Sequence, residues 1–250
     1  MLSDEQLARY ARQILLPGFD IAGQERLLAA SVLVVGLGGL GSPVALYLGG
    51  AGVGRLLLAD DDRVELSNLQ RQLAHTQAGL GTNKAASAAA AVAARNPDVA
   101  VEVIAERLSE PRLRELARGV DLVVDCTDNY PARHALNRAC IAAGVPLVSA
   151  AAVRAEGQIA VFHPAAGGPC YRCLYPEAGA ATALSCSESG VLGPVVGVLG
   201  SLQAMEALKL LAGYGEALVG GLLVLDLASL EVRRLSIAPR PGCPDCAACR

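Results

Sequence analysis

Cys170-x-x-Cys173 and Cys243-x-x-Cys246 are two knuckles with the spacing of a tetrahedral zinc site built from four thiolates. The 69 residues between them exceed the span of a simple zinc ribbon. Closing such a loop costs about 4 kcal/mol by the logarithmic rule. Structural zinc contributes about 10–16 kcal/mol in small peptides, so zinc binding is expected. Cys249 repeats the spacing beyond Cys246 and competes with it as a ligand; Cys243 and Cys246 are the favoured pair. Four protein ligands leave no open position for water, which makes the expected zinc structural. Cys186 differs, lying in the polar stretch Thr182-Ala183-Leu184-Ser185-Cys186-Ser187-Glu188-Ser189, which suits an exposed loop. Cys126 and Cys140 fall at a strand end and on a helix, where burial as packing is expected. His75, His134 and His163 are scattered, and no nucleophile–base pair can be assembled from them.

A second set of residues can hold a nucleotide. Gly36-Leu37-Gly38-Gly39-Leu40-Gly41 follows the apolar run Ser31–Val35 and precedes a helix. The first glycine permits a tight turn, the second lets the backbone approach a phosphate, and the third allows close packing of helix on strand. The helix N-terminus then offers amide donors to an anion. Asp60 follows 24 residues after Gly36, at the end of the next strand, where a carboxylate can accept from ribose hydroxyls. This pattern alone does not separate NAD from ATP.

More polar residues follow than hydride transfer needs. Ser67-Asn68-Leu69-Gln70-Arg71-Gln72 is dense in phosphate-binding side chains. Lys84 opens an Ala-rich helix, at the end where the macrodipole disfavours a cation. A local rule broken without visible compensation marks a candidate functional residue. Asp128-Asn129 lies just beyond the fourth strand, at the carboxyl edge where ligands of such sheets bind. Asp128 could hold Mg²⁺, while Arg71 and Lys84 could neutralise a triphosphate. Asp61 and Asp62 read as a solvated turn.

The elements that must position these groups alternate. Strands are expected at 31–35, 56–59, 99–104, 122–125 and 146–149, with helices from Gly41 to about Gly50 and over 84–95, 110–117 and 131–143. Ser3-Asp4-Glu5-Gln6 is a capping box, with Leu7, Ala11, Ile14 and Leu15 on one face of the helix it opens and Arg9 and Arg12 largely off it. Past residue 150 the pattern becomes antiparallel strands at 158–162 and within 222–235, with a helix over 194–211. The expected architecture is α/β: a Rossmann-like, doubly wound, mainly parallel sheet extended by antiparallel C-terminal strands and carrying a zinc site. One domain over 1–250 is expected, with an N-terminal helical arm (1–30), a nucleotide-binding half (31–150) and a zinc half (151–250).

Composition narrows the class. The 250 residues are 53% hydrophobic, which excludes a disordered chain, and the formal charge of −3 provides no basic footprint for nucleic acid. Two uncharged stretches, 31–54 and 189–205, are interrupted by glycine and proline and read as buried segments rather than membrane spans. With no secretion signal visible, a cytoplasmic protein is expected, whose cysteines serve metal or redox chemistry rather than disulfides. Only Lys84 and Lys209 are lysines, against nineteen arginines.

Arg12-Gln13-Ile14, the glycine-rich loop, Asp60, residues 67–72, Lys84 and Asp125-Cys126-Thr127-Asp128-Asn129 together resemble the E1-like adenylyltransferases, the ThiF/MoeB/HesA family. The resemblance continues through Cys170-Tyr171-Arg172-Cys173, Gly200-Ser201-Leu202-Gln203-Ala204-Met205-Glu206 and the C-terminal cysteines, and no position departs from the nucleotide pattern. It is nearest the branch that activates a ubiquitin-fold sulfur carrier for molybdopterin synthesis, with the thiamine branch second. A longer form of the family carries an appended rhodanese domain, and the expectation here is a chain without one.

The resemblance implies that the carrier's C-terminal Gly-Gly carboxylate attacks the α-phosphate of ATP, giving acyl-adenylate and pyrophosphate. By position it puts Gly39 against the nucleotide through its backbone and Asp60 on the ribose. It puts Asn68, Arg71 and Lys84 on phosphates, with Ser67, Leu69 and Gln70 in the same ATP-binding segment. Asp128 would hold Mg²⁺ with Asn129 beside it, and Arg12 would reach the phosphates of a neighbouring subunit, implying a homodimer. Cys186 matches the region where related enzymes carry a thiol intermediate, although a bystander role is favoured. The rivals are the same reaction on a thiamine-pathway or specialised-metabolite carrier, an NAD-dependent dehydrogenase, and a non-catalytic partner subunit. The complete set of Arg12, Arg71, Lys84 and Asp128 argues against the last.

Overall fold

The computed structural model describes residues 2–176 and 190–249. Ser31–Val35 (β1) pairs in parallel with Arg55–Ala59 (β2) and with Leu122–Asp125 (β4). β2 continues to Ala100–Ile104 (β3), and β4 to Leu147–Val153 (β5), also in parallel. From β5 the direction alternates through Glu156–Phe162 (β6), Gly221–Asp226 (β7) and Glu231–Ser236 (β8). The order is β3-β2-β1-β4-β5-β6-β7-β8, a parallel core with an antiparallel extension. The expected strand region 222–235 is a hairpin, β7 and β8. β5 runs through residue 150, so one strand belongs to both of the halves divided there.

Period-two alternation sends side chains to two layers. Val32, Val34, Leu56 and Leu58 face one side, with Gly41–Ala51 (α3), Lys84–Ala93 (α4) and Gly193–Ala212 (α8) packed over them. Leu33, Leu57 and Val123 face the other, under Glu110–Ala117 (α5) and Tyr130–Ala143 (α6). Burial on both faces is why the central strands are continuous apolar runs. α8 is long and apolar enough to cross a membrane, yet here it lies along β4–β6 and α3 with Gln203 and Glu206 buried. Gln203 Nε2 donates to the Asp125 carbonyl at 2.7 Å, fixing α8 to the end of β4.

The N-terminal helix Asp4–Ile14 (α1) has its capping box but not its expected packing face. Its anchors are Tyr10, whose hydroxyl accepts from Asn96 Nδ2 at 2.9 Å, and Gln13, whose Nε2 donates to the Ala51 carbonyl at 2.8 Å. Leu7 and Leu15 stay exposed. Arg9 is on the packed side and donates to the Arg95 carbonyl at 3.0 Å. Hydrogen bonds to helix ends, rather than an apolar stripe, seat this helix. A second helix, Asp20–Ala29 (α2), follows it, and a single turn, Tyr171–Leu174 (α7), comes between α6 and α8 in the chain.

Candidate functional site

Parallel register brings the candidate residues together. Val35 pairs with both Ala59 and Asp125, so the residues that follow them, Gly36, Asp60 and Cys126, leave the sheet side by side at its carboxyl edge. Gly36 has φ of 90°, and a Cβ there would lie 2.7 Å from the Cys126 carbonyl oxygen, so both conformation and space require glycine. A Cβ on Gly39 would meet Val196 of α8 at 2.8 Å, which places the loop against the start of that helix.

Asp60 is tied into the loop rather than left free. Its Oδ2 accepts from the Leu37 amide at 2.6 Å and its Oδ1 from the Asp62 amide at 2.8 Å. Burial pushes its carboxyl above the usual range, against the pull of those two amides. Each oxygen keeps a lone pair for a further donor such as a hydroxyl.

Lys84 is buried at the first residue of α4, and its Nζ lies 2.8 Å from Asp62 Oδ2. Asp62 is therefore the compensation that the sequence did not reveal: it is exposed, as the solvated-turn reading expects, and also pairs with Lys84. Asn83 caps α4 by accepting from the Ala86 amide, and its Nδ2 donates to the carbonyls of Asp60 and Asp62. The same two carbonyls and side chains thus link β2 to the start of α4.

The polar segment 67–72 starts in a 3₁₀ turn, Leu66–Asn68. Asn68 is buried and holds the turn by accepting from the Glu65 amide at 3.1 Å. Arg71 Nη1 donates to the Ser67 carbonyl at 2.9 Å. A Cβ on Gly193 would fall 2.6 Å from the Gln70 carbonyl, so the segment abuts the N-terminus of α8. Leu69 is half-buried, and Ser67 and Gln70 are exposed. Asp128 is exposed beyond β4 and accepts from Asn129 Nδ2 at 3.4 Å, and Asn129 caps α6 by accepting from the Ala132 amide. Arg12 is apart from all of these. It is exposed on α1, which is anchored at Ala51, the opposite end of α3 from the glycine loop.

The thiols of Cys170, Cys173, Cys243 and Cys246 lie within 4.8 Å of one another and could hold a metal ion. Neighbouring Sγ atoms are 3.8 Å apart for Cys170–Cys173 and 3.6 Å for Cys170–Cys243 and for Cys173–Cys246. Cys249 is exposed and outside the cluster. Around it, Arg172 pairs with Asp245 at 2.7 Å, and Asn137 of α6 donates to Asp245 at 2.9 Å. Cys126 and Cys140 are buried as expected. Cys186 lies outside the described residues.

A profile of the ThiF family matches residues 10–245. The chain belongs to the ThiF family. Within it, the molybdopterin-synthase adenylyltransferase of Escherichia coli K12 is 50% identical over 245 residues, covering 98% of this chain and 98% of that protein. The adenylyltransferase and sulfurtransferase MOCS3 of Sus scrofa is 50% identical over 249 residues, which is 99% of this chain and 54% of that longer protein. The solved structure of E. coli MccB with ATP superposes with a TM-score of 0.83 at 23% identity, over 95% of this chain and 73% of that one, a likeness of fold. In the ThiF-family frame, two residues at this site escaped the sequence reading. Asp62 left one clue, the missing counter-charge for Lys84 at a helix N-terminus. His75, which bonds Leu37 and Ser87, left none, because its partners are 38 and 12 residues away in the chain.

Proposed function

We infer that this protein adenylates the C-terminal glycine of a ubiquitin-fold sulfur carrier, activating it for sulfur transfer in molybdenum cofactor synthesis. The observation that carries this reading is half-identity, over nearly the whole of both chains, to a molybdopterin-synthase adenylyltransferase. The carrier's carboxylate attacks the α-phosphate of ATP, the acyl phosphate bond forms, and pyrophosphate leaves. No protein nucleophile is needed, only positioning and charge neutralisation.

Each group has a task in that reaction. The glycine-loop backbone at Gly39 meets the nucleotide, and Asp60 accepts from the ribose. Asn68, Arg71 and Lys84 take the phosphates, with Ser67, Leu69 and Gln70 lining the same segment. Asp128 and Asn129 stand where Mg²⁺ would be held; the exposed carboxylate of Asp128 suits that hard cation, which would neutralise phosphate charge. Arg12 serves the site of a second subunit. Its helix is anchored at the far end of α3, which at 1.5 Å per residue is about 15 Å from the glycine loop. The exposed Leu7 and Leu15 on the same helix fit burial in a homodimer.

The four cysteines hold a structural zinc. A tetrahedron with metal–sulfur bonds of about 2.3 Å has edges of about 3.8 Å, and the three sulfur separations given above match it. Such thiolates persist in a reducing compartment, so we assign the protein to the cytoplasm. The test is carrier-dependent exchange of labelled pyrophosphate into ATP with Mg²⁺. Exchange is expected in the wild type and is lost in Asp128→Ala at unchanged thermal stability; no exchange with molybdopterin-pathway or thiamine-pathway carriers overturns the reading.

A further inference from the structure

His75 is 6% exposed and is bonded at both ring nitrogens. Nε2 lies 2.9 Å from the Leu37 carbonyl oxygen and Nδ1 lies 3.0 Å from Ser87 Oγ. A carbonyl only accepts, so Nε2 carries the proton; in the neutral ring Nδ1 then accepts from the Ser87 hydroxyl. One rigid ring thus joins the glycine-rich loop to α4. Ser87 stands three residues after Lys84, on the same helical face, so the helix that the ring grips is the one that presents Lys84.

The grip falls on a decisive peptide group. Leu37 is fixed from both directions, its N–H by Asp60 and its C=O by His75. In a trans peptide the N–H of the next residue points opposite to the carbonyl. Fixing the Leu37 carbonyl therefore fixes the direction of the Gly38 N–H, at the second glycine of the loop, where backbone approaches phosphate. We propose that His75 is a positioning residue of the nucleotide site, holding the glycine-rich loop in register with the helix that carries Lys84. This rests on the reading that the loop binds ATP. Burial holds the imidazole pKa below its ordinary value, with the Leu37 bond opposing and nearby Lys84 reinforcing the shift. The neutral, accepting Nδ1 that Ser87 needs is thereby maintained.

The test compares KM for ATP and kcat in carrier-dependent pyrophosphate exchange for wild type, His75→Ala, His75→Gln, His75→Asn and Ser87→Ala. Equilibrium ATP·Mg²⁺ binding by the wild type is measured alongside. His75→Ala should raise KM for ATP about tenfold, the scale of one buried hydrogen bond lost at a site. The glutamine amide places a donor where Nε2 stood, so His75→Gln should return KM to within about threefold of wild type. Asparagine is too short to reach the Leu37 carbonyl and should not. Ser87→Ala should raise KM about threefold. Should His75→Ala fail to fold, the contrast of glutamine with asparagine and the Ser87 variant still decide the matter. A role in stability alone would lower Tm in every variant while leaving KM for ATP as in the wild type, and that result overturns the proposal. If the wild type does not bind ATP, the nucleotide reading itself falls and takes this one with it.

Discussion

The ammonium of Lys84 lies 2.8 Å from a carboxylate oxygen of Asp62, with the lysine side chain 10% exposed and the aspartate 67% exposed. A cation at a helix N-terminus is held there by a partner that faces solvent. In the proposed nucleotide site, incoming phosphate competes with that partner. Asp62→Ala should lower the Tm of the nucleotide-free protein by about 2–4 °C, the equivalent of about 1 kcal/mol in a chain of this size. The Tm increase produced by saturating ATP·Mg²⁺ should be larger in the variant than in the wild type, since phosphate then supplies a missing charge. Equal ATP-induced shifts in thermal melts would show that Asp62 and the nucleotide do not share Lys84.

The cysteine cluster joins two segments 73 residues apart, through Cys170–Cys243 and Cys173–Cys246. Cys173→Ser or Cys246→Ser should lose bound zinc and melt at a lower temperature, because a serine hydroxyl is a poor substitute for thiolate. Cys249→Ser should keep a full complement. Metal analysis per subunit reads both results, and a full zinc in Cys173→Ser would refute the ligand set.

In the proposed homodimer, Arg12 and Lys84 serve one active site from different chains. Arg12→Ala and Lys84→Ala should each be inactive alone. Mixed after subunit exchange, half the dimers are heterodimers with one intact site of two, so random pairing permits recovery up to roughly a quarter of wild-type activity. No recovery, with exchange verified independently, would place Arg12 in its own chain's site or in none.

The buried imidazole of His75 gives the fold a pH signature. Its folded pKa is below the ordinary 6.5 because burial disfavours the charged ring, so the unfolded chain takes up the proton first. Stability is therefore complete above about pH 6.5 and falls as pH drops through that value toward the folded pKa. His163 is shifted the same way by burial and adds to the fall. In denaturant melts between pH 7 and pH 5, His75→Gln should show a shallower decline than the wild type. An unchanged slope would mean that His75 takes up its proton as readily in the folded protein as in the unfolded chain.

The legible parts of this protein were those governed by short-range rules. The strand–loop–helix of residues 31–51 was readable because a glycine loop between a β-branched run and a helix has one backbone solution. The parallel core followed from strands long and apolar enough for burial on both faces, and the two knuckles pointed by spacing alone to the four thiols that the structure gathers. The packing of α1 was not readable, since Tyr10 and Gln13 seat it on hydrogen bonds to Asn96 and Ala51 that no local periodicity encodes.

Asp62 and His75 belong to the same class of missed feature. The sequence by itself determined which chemistry the chain carries, because residue types and spacing set the donors, charges and thiolates available. The tertiary structure decided which of those groups meet. Lys84 finds Asp62 where the start of α4 returns to the end of β2, and Leu37 finds His75 where parallel pairing of β1 with β2 brings the segments after those strands together. Contacts between groups tens of residues apart depend on how the whole sheet closes, and closure is a property of the packed chain rather than of any segment in it.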